Sequence, residues 1–452
     1  MLIKIMVILL GLLAIAVPVA AALGILSLVL GNFMSPMPLV RAIGESFWQN
    51  GREFILIAIP MFVLMGEILL RSGIAQRMYD AMARWLSWLP GGLMHSNIGA
   101  CALFAATSGS SVATAATIST VALPEVERRG YNERLFVGTL AAGGTLGILI
   151  PPSINLIVYG LLTDTSVPKL YLAGFLPGFL LASLFALTVI VSCIMVPAWG
   201  GERIRSTWRQ RFAVLVDLLP PLLIFLVVVG SIYAGLATPT EAASLGVVAS
   251  MILAAARGML TWRMLREAIE GAMTTTAMVM LIILAAIFLN FTLATTGVTA
   301  LLTKFITDLG LGPYQLLLAI VAFYIVLGCF METFSMLITT APLIVPIVAG
   351  LDFGLADAHE TKIWFGILLI ILLEAALITP PIGVNLYVVQ GVRAKGSIID
   401  VIVGSLPFVI TMFVMLGLII IFPGIALWLP RNMPDIIIWI ERAYSSVVGT
   451  LF

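Results

Sequence analysis

The chain has 452 residues, of which 61% are hydrophobic and 10% are charged, and its mean hydropathy is +1.16. This composition excludes a soluble globular domain of any fold class and is typical of an integral membrane protein. The formal net charge of +1 gives no general attraction for nucleic acid or for acidic partners, so the lipid bilayer is the expected environment.

The first segment, residues 1–53, is expected to hold a membrane span over 3–30 and then an amphipathic arm at the interface. The apolar run is long enough to cross a bilayer and shows no convincing cleavage site, which favours a retained span over a removed signal peptide. A first repeat is then expected over 54–197. It begins with a span over 54–70, followed by an interfacial helix that carries arginines and tryptophans.

Two breaks interrupt apolar sequence within the first repeat. Residues 96–123 divide at 108–109, which predicts a re-entrant helical hairpin, and residues 135–162 divide at 151–152, which predicts a broken helix. In hydrocarbon every backbone N–H and C=O must be satisfied within the protein, so such breaks persist only where they are buried or line a cavity. Broken helices also expose N–H groups and carbonyls that hold ions. The breaks therefore indicate the binding site of an ion-coupled transporter.

The region over 198–273 is expected to connect the halves through a loop, scaffold spans and a further arm. Its first loop has the strongest positive cluster in the chain, formed by Arg203, Arg205, Arg209 and Arg211. By the positive-inside rule, this loop is predicted to lie in the cytoplasm.

The second half, 274–429, repeats the pattern of the first. Apolar arms around a polar turn predict a second hairpin over 314–348, and a second Pro-Pro pair predicts a broken helix over 365–390. The glycine that follows the first span lies equally far from the hairpin turn in both halves, which supports an internal repeat. The last residues, 430–452, are expected to form an interfacial tail.

The charges that flank the two hairpins differ in sign. Arginines surround the first hairpin, whereas Asp352, Asp357 and Glu360 follow the second. This difference places the first hairpin on the cytoplasmic side and the second on the outer side. The predicted fold class is therefore an all-α integral membrane protein with inverted-topology repeats, each with a re-entrant helical hairpin and a broken helix.

Five stretches together resemble one known family. Ala106–Thr120, Pro124–Tyr131 and Gly147–Ser153 carry the resemblance in the first half. Gly328–Glu332 and Thr379–Leu386 carry it in the second. They are similar to the large membrane subunit of tripartite ATP-independent periplasmic (TRAP) transporters, the DctM family, and the similarity covers nearly the whole chain.

The resemblance implies a transporter rather than an enzyme, with sodium-driven uptake of an organic acid such as a C4-dicarboxylate across the bacterial inner membrane. It implies two partners, a periplasmic substrate-binding protein of the DctP type and a small membrane subunit of the DctQ type, expected here as a separate protein. It also implies an elevator-type transporter. Thr114, where relatives often have an acidic residue, and the lack of an arginine in 294–297 argue against sialic acid as the substrate.

Na+ is the coupling ion that the resemblance implies, and sodium prefers hard oxygen ligands such as hydroxyls and backbone carbonyls. The first sodium site is expected at Ser108, Gly109, Ser110 and Ser111, with carbonyls near Gly147, Ile150 and Pro151. The mirror site is expected at Glu332, Thr333 and Ser335, with carbonyls near Ile378, Thr379, Pro380 and Gly383. The substrate carboxylate is expected to contact Ser153, Asn155 and Asn385.

Other polar residues in the apolar segments have simpler interpretations. Thr117, Ser119 and Thr120 are typical of close helix packing rather than of ligands. Glu374 is an acidic residue in apolar surroundings, which makes it a functional candidate. Glu67 is interpreted either in that way or as a structural residue near the interface.

Two other functions are weighed against the resemblance. A stand-alone sodium:carboxylate symporter of similar inverted-repeat design would transport without partners. A membrane enzyme or scaffold has less support, because the sequence shows no metal-ligand spacing and no nucleophile near a histidine. Apart from sodium, no metal is expected.

Overall fold

The computed structural model describes residues 7–433 except 10, 13, 14, 16, 35–38, 205, 299, 300, 302–309, 330 and 394. The start of the predicted first span, Arg205 of the basic loop and the predicted tail beyond residue 433 lie outside the described residues. The described residues form helices and loops, with no strand among them. The all-α prediction is confirmed.

The helices before the connecting region follow one another with short loops. They are α1 (Val19–Met34), α2 (Ile43–Gly51), α3 (Ala58–Arg71), α4 (Ile74–Leu86), α5 (Leu93–Ser108), α6 (Ser111–Ala122), α7 (Pro124–Arg129), α8 (Glu133–Thr145), α9 (Ile154–Thr163) and α10 (Val167–Met195). Pro18 directly precedes α1, so the apolar run expected as one span from residue 3 to residue 30 is not one continuous helix.

Both breaks of the first half lie between helices. α5 ends at Ser108 and α6 begins at Ser111, because Gly109 reverses the chain with a φ of +61°, a conformation that favours glycine. After α8, a 3₁₀ turn over Leu146–Ile148 leads into a loop, and α9 begins at Ile154. The loop holds the Pro-Pro pair, whose peptide bond is cis.

The connecting region and the second half contain the remaining helices. They are α11 (Trp208–Ala213), α12 (Leu219–Phe225), α13 (Ser231–Tyr233), α14 (Pro239–Ala256), α15 (Trp262–Thr295), α16 (Pro313–Gly328), α17 (Thr333–Ala349), α18 (Ala358–Leu377), α19 (Val384–Val392) and α20 (Ile398–Ile421). A π-helical turn joins α12 to α13, and the chain bends by 42° where it enters α12. α18 begins seven residues before the predicted start at 365, because Asp357 caps it by accepting a hydrogen bond from the Glu360 N–H (2.7 Å).

The half-helix after each break packs against the hairpin of the opposite half. α9 lies against α17, and α19 lies against α6. α8 packs along α20, and its counterpart α18 packs against α10. The two halves are therefore interlocked, and each contributes to the surroundings of the other's break.

The most buried helices are those that precede the two breaks. Every residue of α8 from Leu135 to Thr145 is buried, and so is every residue of α18 from Ile363 to Leu377. Within the described ranges, five segments are long and apolar enough to cross a membrane, and they lie around this core: Phe54–Arg71, Val167–Met195, Pro239–Ala256, Trp262–Thr295 and Ile398–Ile421. Their outward faces carry exposed aliphatic side chains, as expected for contact with lipid.

Candidate functional site

A cavity of about 100 Å³ lies where the two hairpin turns meet the ends of the two broken helices. We call residues 108–111 the first tip and residues 332–335 the second tip. Several residues expected from the sequence to bind ions or substrate line the cavity: Ser108, Gly109, Ser110, Ser111, Glu332, Thr333 and Asn155. The other expected residues do not line the cavity: Gly147, Ile150, Pro151, Ser153, Ser335, Ile378, Thr379, Pro380, Gly383 and Asn385.

Hydroxyl hydrogen bonds hold the first tip in shape. The Thr114 Oγ1 donates to the Ser110 carbonyl (2.7 Å) and lies 3.0 Å from the Ser108 Oγ. Ser110 caps α6, because its hydroxyl accepts from the Ala113 N–H (3.4 Å). Thr114 therefore joins the two arms of the hairpin, a structural role for the residue that replaces the acidic one expected of relatives.

The first tip touches the first break closely. A Cβ on Gly109 would lie 2.7 Å from the Pro152 carbonyl oxygen, and one on Gly147 would lie 2.6 Å from the Ser110 carbonyl oxygen. Glycine is needed at both places to let the backbones approach. The carbonyl oxygens of Ser110 and Pro152 thus both lie at the contact between the first tip and the first break, and backbone carbonyls are ligands that a hard cation prefers.

The second tip is built around a carboxylate. Glu332 caps α17, since its oxygens accept from the N–H groups of Phe334 (3.0 Å) and Ser335 (3.2 Å). The hydroxyls of Thr333 and Ser335 also donate to it, at 3.1 Å and 3.2 Å. Behind the tip, the Cys329 thiol contacts the Pro380 carbonyl at 3.5 Å. Cys329 therefore connects the end of the second hairpin's first arm to the second break.

The Ile378–Gly383 segment forms the second break. The Thr379 Oγ1 donates back to the Ala375 carbonyl (2.7 Å), as a threonine at a helix end commonly does. Gly383 has a φ of +43°, which favours glycine, and α19 then begins without a side-chain cap. The first N–H groups of α19 are therefore not used by a neighbouring side chain.

The two asparagines after the breaks have different surroundings, although both are fully buried. The Asn385 Nδ2 donates to the Ser111 Oγ (2.9 Å) and to the Ala141 carbonyl (3.2 Å), so Asn385 binds the first tip. The Asn155 amide lines the cavity, and neither its Oδ1 nor its Nδ2 has a hydrogen-bond partner among the described residues. Buried polar groups are almost always paired, so Asn155 is the unpaired group to which a ligand would bind.

Ser153 is occupied within the protein. Its hydroxyl donates to the Ile148 carbonyl (2.5 Å) and accepts from the Leu156 N–H (3.4 Å), which caps α9. The Tyr171 hydroxyl donates to the Ser153 carbonyl (3.4 Å). Ser153 therefore orients α9 so that Asn155 points into the cavity.

Four helices begin at the cavity: α6, α9, α17 and α19. Helix N-termini carry partial positive charge and free N–H groups, so together they favour an anion. Two helices, α5 and α18, end there and present carbonyl oxygens to the same space. The arrangement can therefore hold a carboxylate and a hard cation near each other.

Sequence reasoning missed the far wall of the cavity. It is formed by α3 and α15, through Val63, Gly66, Glu67, Thr275 and Val279. Glu67 is the exception, since as an acidic residue in an apolar span it was already a candidate, with a structural role as the alternative, and it pairs with Arg71 one turn further along α3. Thr275 gave no signal, because a threonine in an apolar helix is ordinary.

Known proteins resemble this chain over most of its length. The profile of the family described as "Tripartite ATP-independent periplasmic transporter, DctM component" matches residues 6–425. The C4-dicarboxylate TRAP transporter large permease protein DctM of Vibrio cholerae is 32% identical over 94% of this chain and 97% of that relative. The protein of the same name from Pseudomonas aeruginosa is 32% identical over 87% of this chain and 90% of that relative.

Another relative is named for a different substrate. The sialic acid TRAP transporter permease protein SiaT of Haemophilus influenzae is 31% identical over 92% of this chain and 66% of that relative. Among solved structures, the Alcanivorax borkumensis YdaH transporter superposes with a TM-score of 0.59 at 14% identity, covering 92% of this chain and 97% of that one. That likeness supports the fold alone. The family match and the curated relatives together show that this multi-pass membrane chain belongs to the DctM family, the large permeases of TRAP transporters.

Proposed function

We propose that this chain imports an organic anion across the bacterial inner membrane, coupled to Na+, as the large permease of a tripartite system. Its partners are a periplasmic substrate-binding protein of the DctP type and a small membrane subunit of the DctQ type. Membership of the family supports this function, and the substrate class rests on the C4-dicarboxylate permeases among the most similar relatives. One relative, the isethionate TRAP transporter permease protein DctMQ of Oleidesulfovibrio alaskensis, is named for both the DctM and the DctQ component.

The observation that carries the proposal is the unpaired Asn155 amide in a cavity onto which four helix N-termini open. The Nδ2 donates to a carboxylate oxygen, and the N–H groups at the start of α9 and α19 add further donors. The second tip is less suited to the anion, because Glu332 already neutralises the start of α17. The substrate carboxylate therefore binds beside Asn155, between the first tip and α19.

Sodium binds on the carbonyl side of the cavity. The first tip and the break that it contacts supply the Ser110 and Pro152 carbonyls and the Ser108 hydroxyl, and all three are hard oxygen ligands. Glu332, Thr333 and the break over 378–383 supply a second oxygen-rich group. Cations beside the anion lower the cost of placing its charge within the membrane, which couples the two ligands.

An elevator motion fits the division of the helices. α1, α3, α14 and α15 pack mainly on one another and form a scaffold, whereas the hairpins and broken helices pack into a second body. The bodies meet at few points, one of which is Gly66, where a Cβ would lie 3.1 Å from the Ser108 carbonyl oxygen. The cavity lies along this boundary, so sliding of the second body carries the bound ligands with it.

The test is uptake of a labelled C4-dicarboxylate into proteoliposomes under an imposed sodium gradient. Uptake is expected only when the cognate binding protein and small subunit are both present, and only with sodium rather than potassium. Uptake of free substrate by this chain alone would replace the tripartite function with that of a stand-alone symporter. Equal uptake in potassium would remove sodium from the proposal.

A substitution links the transport to the cavity. Asn155→Ala removes the unpaired amide and is expected to abolish uptake while the protein folds normally. Asn432→Ala is the matched control, because Asn432 is partly exposed and, among the described residues, bonds only to the Trp428 carbonyl (2.7 Å). If Asn155→Ala transports as the control does, the carboxylate does not bind there.

A further inference from the structure

Glu374 is a buried acid that the proposed mechanism does not use. It lies near the end of α18 and is 0% exposed. Neither of its carboxylate oxygens has a hydrogen-bond partner among the described residues, and none of the ion pairs found there includes it. Its surroundings are the apolar interior, since all its neighbours along α18 from Ile363 to Leu377 are buried.

Among the described residues, no charged side chain of the helices packed around α18 pairs with Glu374, and Glu332, which caps α17 at the cavity, accepts from Phe334 and Ser335 instead. Three buried tyrosines on them hydrogen-bond elsewhere: Tyr324 with Thr340, Tyr159 with the Lys362 carbonyl and Tyr171 with the Ser153 carbonyl. α17 has no ionisable residue. The remaining ionisable groups lie at other ends or faces of these helices: Tyr314 on α16, Lys169 and Cys193 on α10, Glu133 and Arg134 on α8, Tyr387 on α19 and Asp400 on α20.

An ionised carboxylate in such a site costs several kcal/mol when it has no partner, so the group takes up a proton instead. Glu374 is also placed to lose that proton. Leu377, one turn further along α18, lines the cavity, and the second break follows directly. If the second break rearranges and admits water or a cation, Glu374 lies only one helical turn from it.

We propose that Glu374 is a proton-binding site of the transport cycle. In the conformation of this structure, where the carboxyl is buried, it carries a proton. When the region around the break becomes hydrated, the O–H bond breaks, the electron pair stays on the carboxylate oxygen and the proton passes to water. The ligand is H+, and this site is separate from the cation and anion positions in the cavity.

The first experiment measures the proton on the protein itself. In infrared difference spectra of the purified wild-type chain, a carbonyl band of a protonated carboxylic acid is expected at neutral pH and is absent from Glu374→Gln. Glu360→Gln is the control on the same helix, because Glu360 is paired with Arg431, and it should keep the band. A wild-type spectrum without a protonated acid overturns the proposal. This readout needs no transport, so it can fail or succeed independently of the proposed function.

The second experiment measures transport. With the assembled tripartite system at a fixed sodium gradient, the rate of wild-type uptake is expected to change in one direction with pH, by up to about tenfold per pH unit for one proton. Glu374→Gln should abolish this pH dependence. Glu374→Leu, which keeps the site apolar, should do the same and fold at least as well, because a neutral group is what the site holds. A variant that folds and keeps the wild-type pH profile overturns the assignment.

Discussion

Asn155 follows the first Pro-Pro pair by three residues and Asn385 follows the second by four, yet only Asn385 has its amide satisfied by the protein. Asn385 links the second broken helix to Ser111 at the first tip, so it holds that tip in place from the other half. Ligand binding at the first tip therefore depends on a residue that does not line the cavity. Asn155 is free to contact a ligand because no equivalent serine reaches it.

We expect Asn385→Ala to raise the sodium concentration needed for half-maximal uptake. The substitution removes three hydrogen bonds and leaves the Ser111 hydroxyl without this partner, at a cost of about 1 kcal/mol in stability. The measurement is the sodium dependence of uptake together with thermal unfolding in detergent. Ser111→Ala should give a similar shift, and the double variant should be no worse than either single one. Independent, additive effects would contradict the link between the two side chains.

The sequence could predict these asparagines as a pair but not the difference between them. Both follow a Pro-Pro pair, which marks a break in each half. The partner of Asn385, however, lies 274 residues away along the chain. No local pattern indicates such a contact, and Thr275 on the cavity's far wall was missed for the same reason.

At the scale of elements, the second tip depends on one carboxylate. Glu332→Ala is expected to lower the stability of the protein by about 1 to 2 kcal/mol, because the first N–H groups of α17 lose their acceptor. Glu332→Gln should lose less, since one acceptor oxygen remains. Thermal unfolding of the purified chain measures both. Asp352→Ala is the control, because Asp352 accepts only from the Gly354 N–H in an exposed loop (2.8 Å).

The contact between α8 and α20 depends on two glycines. A Cβ on Gly138 would lie 2.0 Å from the Gly404 carbonyl oxygen, so backbone rather than a movable side chain blocks it. Gly138→Ala is therefore expected to prevent stable folding or to separate the helices. Gly417→Ala on the same α20 has open space around the new Cβ and should leave stability unchanged. Recovery of monodisperse protein in detergent distinguishes these results, and a well-folded Gly138→Ala would contradict the close contact.

The helix breaks were predicted from sequence better than the packing between helices. Glycines and Pro-Pro pairs interrupt the apolar runs, and the structure has a break at each such position. The pairing of α9 with α17 and of α19 with α6 was not predicted, since all four helices are apolar nearly all round. A helix without a polar face has no amphipathic pattern, so its sequence does not indicate which neighbour it contacts.

At the scale of the whole molecule, a charged network joins the halves at one end. Arg393 from the second half is 8% exposed and pairs with Glu133 of the first half, with 2.5 Å between Nη2 and Oε1. It also lies 3.5 Å from Asp400, which pairs with Arg134 across the same boundary (2.9 Å). The network lies where α8 begins, so it fixes the start of one buried helix against the end of α19.

The strength of this link can be measured with Arg393→Ala, Glu133→Ala and the double variant. Removing Arg393 leaves the carboxylates of Glu133 and Asp400 without the cation between them. Glu133 is half-exposed, with 51% of its side chain accessible, so solvent screening limits the stabilisation that its ion pair with Arg393 gives. We therefore expect a coupling energy of about 1 kcal/mol from thermal or denaturant unfolding in detergent, and less at high salt. The exposed Arg266–Glu270 pair within α15 is the control, and its cycle should give no measurable coupling. If the Arg393–Glu133 cycle is as weak as the control, the halves are held by the packing of α8 on α20 alone, and Gly138 rather than the charges sets their alignment.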